Sequence, residues 1–561
     1  MQKIWQYKEP DVSAAREIAN RFSLSEITAA ILLNRDITDH EDIEAFLDPS
    51  LKRLHSPFLL KDIDKAVDRI NRAFKCKEKV LIYSDYDVDG VTSCALFKKV
   101  LSALGLDVHT YIPHRLSDGY GIKKDAIDKA SSNGIKLIIS ADCGITAIDE
   151  AAYAESIGID VIITDHHKPK EILPNACAVI NPHRADCLYP YKDLAGVGVA
   201  YKLLKALCFE RDYDVDEHLD LVSLGTIADV VPLTGENRIL VKEGLPRIEN
   251  SKNPGIRALI DVAGISGKAI TPQSVSFILG PRINVSGRLD SADIALRLLT
   301  SDDEDEVREI SLTLDRSNKE RQKIEGSTLK EAMAKVDKSV NFAEHNVIVL
   351  DNDNWHSGVI GIVASRLAER FYRPTVLIST DEDMGKGSAR SIESFHLYDA
   401  ISQCDELIEE FGGHKYAAGI NIKRQNIDMF RDKINAIARE ALSPDDLMPK
   451  LRIDLDISLK DLSMGVLEEL DLLEPFGMGN PRPVFSSANV WVKTNPKRVG
   501  KNTLVIWVTD GDVTCEAVGY RMADEFSDDV LSRPFSIAYA PGLKHRHGRT
   551  TIQLELKDIR L

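Results

Sequence analysis

The chain has 561 residues, 43% of them hydrophobic and 28% charged, with 88 acidic against 71 basic side chains and a formal net charge of −17. This length holds roughly three to four domains, and the composition is that of a soluble globular protein; no apolar run approaches the roughly 20 residues that a membrane-spanning helix needs. The acidic balance excludes bulk attraction to polyanions but leaves room for a local basic groove that contacts phosphate.

Met1 to Lys8 lacks the apolar core and cleavage site of a signal peptide, which predicts a cytoplasmic location. Eight cysteines without Cys-x-x-Cys spacing predict reduced thiols rather than a disulfide framework or a thiolate zinc site. Cys143 adjoins a candidate ligand and is read as a packing residue. In residues 1–75, apolar side chains recur near helical spacing over Leu24 to Leu33 and Ile63 to Phe74, predicting a helical cap.

Residues 76–300 alternate short β-branched runs with helical segments, the pattern of an α/β domain built on a doubly wound parallel sheet. Three of these strands stop at acids. Val80 to Ser84 runs into Asp85-Tyr86-Asp87-Val88-Asp89-Gly90, Leu137 to Ala141 into Asp142-Cys143-Gly144, and Ile159 to Thr164 into Asp165-His166-His167-Lys168. The apolar stretch Ser223 to Ala228 likewise ends at Asp229. Residues 301–340, rich in charge and free of proline, predict a long connecting helix. Residues 341–445 read as a second α/β domain, and the short alternating strands of 446–561 as an OB-like β-barrel.

The carboxyl ends of parallel strands open into the crevice where such sheets bind ligands. Acids clustered there repel one another unless cations neutralise them. Oxygen ligands with one or two imidazoles and no thiolate suit manganese first and magnesium next, with cobalt or zinc as substitutes. Two such ions about 3.5–4 Å apart, sharing a bridging carboxylate, would drive an in-line displacement at phosphorus. The predicted reaction is phosphoester hydrolysis.

In this order, Asp-Tyr-Asp-Val-Asp-Gly, Asp-Cys-Gly, Thr-Asp-His-His and Gly-Thr-Ile-Ala-Asp-Val-Val-Pro-Leu closely resemble the motifs of the DHH phosphoesterase superfamily. Within it the chain is similar to the branch of single-stranded-DNA-specific 5′→3′ exonucleases. Gly412-Gly413-His414-Lys415-Tyr416-Ala417-Ala418-Gly419 resembles the signature of the associated DHHA1 domain, so the likeness covers nearly the whole chain. Some members carry a further histidine upstream of the first motif. Leu81, Ile82 and Tyr83 occupy that stretch here, unlike the pyrophosphatase branch.

The resemblance implies metal ligation by Asp85 and Asp87, a bridging Asp142, and ligation by His166 and Asp229. Asp89 enters either as a ligand or as an acid that orients the loop. His167 would face the scissile phosphate, with Asp165 supporting the site. Arg115, Arg282, Arg288, Ser388, Arg390 and His414 match phosphate-contact positions, against the alternative of an ion pair for each arginine and of a plain turn for His414. Trp355 to Gly361 offers a helix entry that could receive a phosphate, with a core role for Trp355 as the equal alternative, and Lys544 to Arg549 is a basic hairpin tip or a solvated turn. The expected activity is release of 5′-mononucleotides from single-stranded DNA in repair and recombination. It implies two divalent cations, a helicase and a single-strand-binding protein as partners, and no membrane. Two other readings stand beside it: a DHH phosphodiesterase acting on oligoribonucleotides or cyclic dinucleotides, and a noncatalytic nucleic-acid scaffold.

Overall fold

The computed structural model describes residues 3–113, 119, 121–289, 292–500, 502–523, 533–546 and 548–560. The chain divides into two units: one comprises Ile37–Asn318 with Leu470–Arg482, the other Met1–Asp36, Lys319–Glu469 and Pro483–Leu561. The N-terminal residues open with a strand, β1 (Ile4–Tyr7), ahead of helices Val12–Phe22 and Glu26–Asn34.

In the first unit, five parallel strands form one sheet: β2 (Lys79–Ser84), β3 (Asp107–Tyr111), β4 (Ile135–Ala141), β5 (Asp160–Thr164) and β6 (Ala178–Ile180), in the spatial order β3-β2-β4-β5-β6. Uninterrupted apolar runs form these strands because both faces are covered. Val80, Ile82, Leu137, Ile139 and Ile162 enter one core with helix Val88–Ala103. Their neighbours Leu81, Tyr83, Ile138, Val161 and Ile163 enter the other, with helices Lys124–Ser132 and Ile148–Ser156. This two-sided burial is the doubly wound arrangement.

Helix Glu304–Ser339 spans 36 residues. Its Val307, Ile310 and Leu314 belong to the core of the parallel-sheet unit, and its Ala332 and Val336 to a core of the other. The second unit holds a mixed five-stranded sheet, β7 (Ile348–Asn352), β8 (Thr375–Thr380), β9 (Met384–Arg390), β10 (Ile408–Gly413) and β11 (Ala417–Lys423), ordered β10-β11-β9-β8-β7.

β1 pairs in parallel with β12 (Lys450–Ile453), setting Trp5 opposite Leu451. Residues 1–75 are therefore not one helical cap. The Ile4–Tyr7 stretch is a strand because Trp5 is buried beside Ile453 and Ala538, and its indole N–H donates to Asp558 Oδ2 at 2.7 Å. Of the α-helices in that stretch, His40–Leu47 and Ile63–Cys76 lie in the parallel-sheet unit.

The remaining strands are β13 (Leu455–Asp456), β14 (Phe485–Val492), β15 (Lys497–Val499), β16 (Thr503–Thr509), β17 (Thr514–Tyr520), β18 (Phe535–Arg546) and β19 (Arg549–Arg560). Their order is β13-β14-β18-β19-β17-β16-β15, and β14 also pairs with β16. That extra pairing closes β14, β18, β19, β17 and β16 into a barrel of the OB type.

Candidate active site

Three acids leave the sheet at one level. Ser84 is paired with Ala141, and Ala141 with Thr164, so Asp85, Asp142 and Asp165 emerge side by side. Each continues the ladder by one bond: Asp85 N–H donates to Ala141 O at 3.3 Å, Asp142 N–H to Thr164 O at 3.0 Å and Asp165 N–H to Ile180 O at 3.1 Å. Asp142 then turns the chain sharply at φ +61°, a left-handed conformation that a short polar residue tolerates. Asp85 and Asp142 are both buried.

The next two acids ride on helix Val88–Ala103. Asp87 caps it by accepting the Gly90 N–H at 3.1 Å. Asp89 reaches across to the start of helix Gly196–Leu207, where its Oδ2 accepts the Gly196 N–H at 2.7 Å and its Oδ1 the Val197 N–H at 2.8 Å. A methyl at Gly90 would lie 2.4 Å from Asp85 O, and one at Gly196 2.6 Å from Asp142 Oδ1, so only hydrogen fits at either position. Gly196 was not among the residues singled out in the sequence, because its role comes from packing against motifs far away in the chain.

His166 follows Asp165 at the carboxyl end of β5. Its Nε2 faces Asp142 Oδ1 at 3.2 Å, Asp229 Oδ2 at 3.5 Å and Asp89 Oδ2 at 4.0 Å. Although this nitrogen is buried, it makes no hydrogen bond among the described residues. Burial and the neighbouring His167 push the ring down to about 4, which leaves a neutral imidazole with a lone pair to give.

Asp165 is fully buried yet its pKa is lowered: burial raises it, and donors from His167 and Ile145 outweigh that effect. Its oxygens accept the N–H groups of Ile145 at 2.9 Å, His166 at 2.7 Å and His167 at 3.0 Å, and contact His167 Nδ1 at 2.8 Å. Burial opposes the charged form of His167, but the Asp165 bond and the fields of Asp165, Asp85 and Asp87 prevail and raise its pKa. Asp165 thus orients both histidines.

Asp229 closes helix Leu219–Ala228, so this acid comes from a helix end rather than from the sheet. The partial negative charge of that helix end adds to the acidic field and favours a cation. Burial and then Asp89, Asp87, Asp229 and Asp85 raise the Asp142 carboxyl well above the usual range. Burial with Asp89, Asp87 and Asp85 does the same to Asp229, and burial with Asp87 pushes Asp89 up to about 7. Such mutual repulsion fits divalent cations. Ligand atoms within 4.8 Å of one another occur in the groups Asp85/Asp87/Asp142, Asp142/His166/His167 and Asp89/His166/Asp229, and Asp142 is common to the first two.

The candidate phosphate contacts fare differently. Arg115 lies outside the described residues. Arg282 makes an ion pair with Asp315: its Nε and Nη2 lie 3.1 and 2.9 Å from Asp315 Oδ1, and its Nη1 donates to Ile278 O at 2.6 Å. Arg288 is on the helical turn Ser286–Leu289, where a methyl at Gly287 would come within 3.0 Å of Tyr86 O, beside the Asp85–Asp87 loop.

In the other unit, Ser388 and Arg390 share β9, with Arg390 Nη1 donating to Ser388 Oγ at 3.2 Å. Gly361 of helix Ser357–Phe371 packs against both side chains. Arg390 is paired with Ala417 on β11, and His414 occupies the exposed turn just before it. Trp355 is core, and the His356 ring accepts the Gly358 N–H at 3.0 Å at the entry to that helix.

The single-stranded-DNA-specific exonuclease RecJ of Bacillus subtilis strain 168 is 36% identical over 558 residues, covering 99% of this chain and 70% of that relative. RecJ of Escherichia coli K12 is 33% identical over 570 residues, covering 94% and 98% respectively. The chain belongs to the RecJ family. The DHH family N-terminal domain matches residues 79–226, the DHHA1 domain 344–440 and the RecJ OB domain 453–558. A crystal structure of RecJ from Thermus thermophilus in complex with Mn2+ superposes with a TM-score of 0.86 at 30% identity, covering 100% of this chain and 79% of that one. Another RecJ structure from the same organism, in complex with Mg2+, gives 0.80 at 29% identity over 100% and 78%. Asp85, Asp87, Asp142 and His166 fall inside the DHH match, and Asp229 lies just beyond it.

Proposed function

We propose that this chain is a metal-dependent exonuclease that degrades single-stranded DNA from the 5′ end to 5′-mononucleotides. The observation that carries the reading is the buried acid cluster around His166 Nε2, an imidazole nitrogen without a hydrogen bond among the described residues and aimed at three carboxylates. Relatives 33 to 36% identical over nearly the whole chain carry the name of that activity.

Two divalent cations, manganese first and magnesium next, suit the donor set, with Asp142 in the shared position between Asp85/Asp87 and His166/His167. When bound, such ions supply Lewis-acid activation of the scissile phosphate and of the attacking water. The remaining work falls to the protein. Asp85, Asp87, Asp142, His166 and Asp229 hold the cations. Asp89, with both oxygens already accepting backbone N–H groups, fixes the loop that carries Asp87. His167, oriented by its contact with Asp165, donates to the phosphate oxygen as charge develops there. Water displaces the 3′ oxygen of the terminal nucleotide, and that oxygen leaves with a proton. Arg288, Ser388, Arg390 and His414 contact phosphates of the strand.

A helicase and a single-strand-binding protein are the partners that such an activity calls for. No described helix is long and apolar enough to cross a membrane. The test is hydrolysis of end-labelled single-stranded DNA, short RNA and cyclic dinucleotides with Mn2+. Loss of DNA hydrolysis in Asp142→Ala and His166→Ala is expected. Full activity in either variant, or preference for RNA or cyclic dinucleotides, refutes the reading.

A further inference from the structure

Phe277 is 77% exposed, more than any other aromatic side chain among the described residues. It is the middle residue of the π-helix Val275–Leu279, whose first and last side chains are buried. A phenyl ring left in water forgoes the stabilisation of burial, and π-turns are rare elements that gather at functional sites. Phe209, exposed at 73% in the same unit, at least rests edge-on against Phe58 with centroids 5.4 Å apart.

The segment that presents Phe277 touches the acid cluster's supports at two points. A methyl on Gly280 would stand 3.7 Å from the Cβ of Ala228, the residue before Asp229. Gly287 approaches the carbonyl of Tyr86, between Asp85 and Asp87. The π-turn is also braced: Arg282 donates to Ile278 O at 2.6 Å while its other nitrogens hold Asp315. A turn anchored by Arg282 therefore carries an exposed aromatic ring on a segment that packs against the supports of the acid cluster.

We propose that Phe277 is a substrate contact on which a nucleobase of the single strand stacks; the inference rests on the exonuclease reading above. Every base has a π-face, so an aromatic platform grips the strand without reading its sequence.

The test uses the full chain with Mn2+ and end-labelled oligodeoxynucleotides. Phe277→Ala and Phe277→Leu are expected to raise KM about tenfold with kcat held, within the range a stacked base contributes, while Phe277→Trp keeps the unsubstituted KM. A scan of single abasic sites through the substrate should find one position that raises the unsubstituted chain's KM by a similar factor and adds nothing in Phe277→Ala. Because the scan of the unsubstituted chain needs no variant, a flat scan decides against the proposal even if a variant folds poorly. An unchanged KM in Phe277→Leu, a Phe277→Trp as weak as Phe277→Ala, or abasic penalties that add in full would overturn it as well. Failure of the unsubstituted chain to cut single-stranded DNA would instead overturn the exonuclease reading.

Discussion

Replacing Gly196 by alanine sets a methyl carbon 2.6 Å from Asp142 Oδ1 and 2.7 Å from its Cβ. Ordinary contact begins at 3.4 Å, so the carboxylate or the helix start must retreat by about 0.8 Å. Asp142 has little freedom to move, because its backbone is held to Thr164 and turned at φ +61°. The helix start is no freer, since its N–H groups grip Asp89. Overpacking of this kind costs about 1–3 kcal/mol, and a displacement near 1 Å at reacting groups costs on the order of a hundredfold in rate. Gly196→Ala should therefore lower the urea midpoint modestly and reduce Mn2+-dependent nuclease kcat on the order of a hundredfold. Single-turnover hydrolysis and urea melts on the same preparation measure both. A variant with unsubstituted rates would show that Asp142 is not held where Gly196 requires, and the argument for its fixed position would fall.

Asp142→Asn removes one of the crowded charges, so without divalent ions it should melt higher than the unsubstituted chain, while losing the rise in melting temperature that Mn2+ gives; at a hundredfold excess over Kd that rise is worth about 2.7 kcal/mol. Scanning calorimetry with and without chelator distinguishes the two effects. Arg282→Ala and Asp315→Ala break the same buried pair, and each should destabilise the fold by about 3 kcal/mol, with the double substitution well short of additive in a denaturant series. For Asp62, burial alone would raise the pKa, but Lys65 and Arg184 outweigh it and lower the folded value below 3.8. Its contribution is then complete above the unfolded pKa and disappears as pH falls through the folded one. Asp62→Asn should flatten the acid limb of a stability–pH curve below about pH 4.

The parallel sheet was legible because its strands are unbroken apolar runs, and Asp85, Asp142 and Asp165-His166-His167 mark where those runs stop. Asp229 was legible as an acid, but its element was not: Ser223 to Ala228 is a short apolar run that suits a strand or a buried helix, and only packing decides. Gly196 was illegible because its purpose lies 107 residues away, at Asp89. Arg282 illustrates the same limit from the other side. Its glycine-flanked motif reads as a phosphate contact, while its ion-pair partner, Asp315, sits on a helix 33 residues further along. Local pattern identifies which side chains carry chemistry, and tertiary packing decides which of them are already engaged.

The pairing of β1 with β12 also bears on synthesis. Ile4 leaves the ribosome long before its partner Lys450 exists, a wait of roughly 20 to 90 seconds at about 5–20 residues per second. For that interval the strand is an open edge with a tryptophan as its second residue, the kind of segment that recruits a neighbouring nascent chain. Its four residues are short, and Lys3 and Lys8 stand at either side as charged guards. The two-stranded sheet of β1 and β12 is thus completed late, and removing either lysine should cost more in yield of soluble protein than in stability of what has folded.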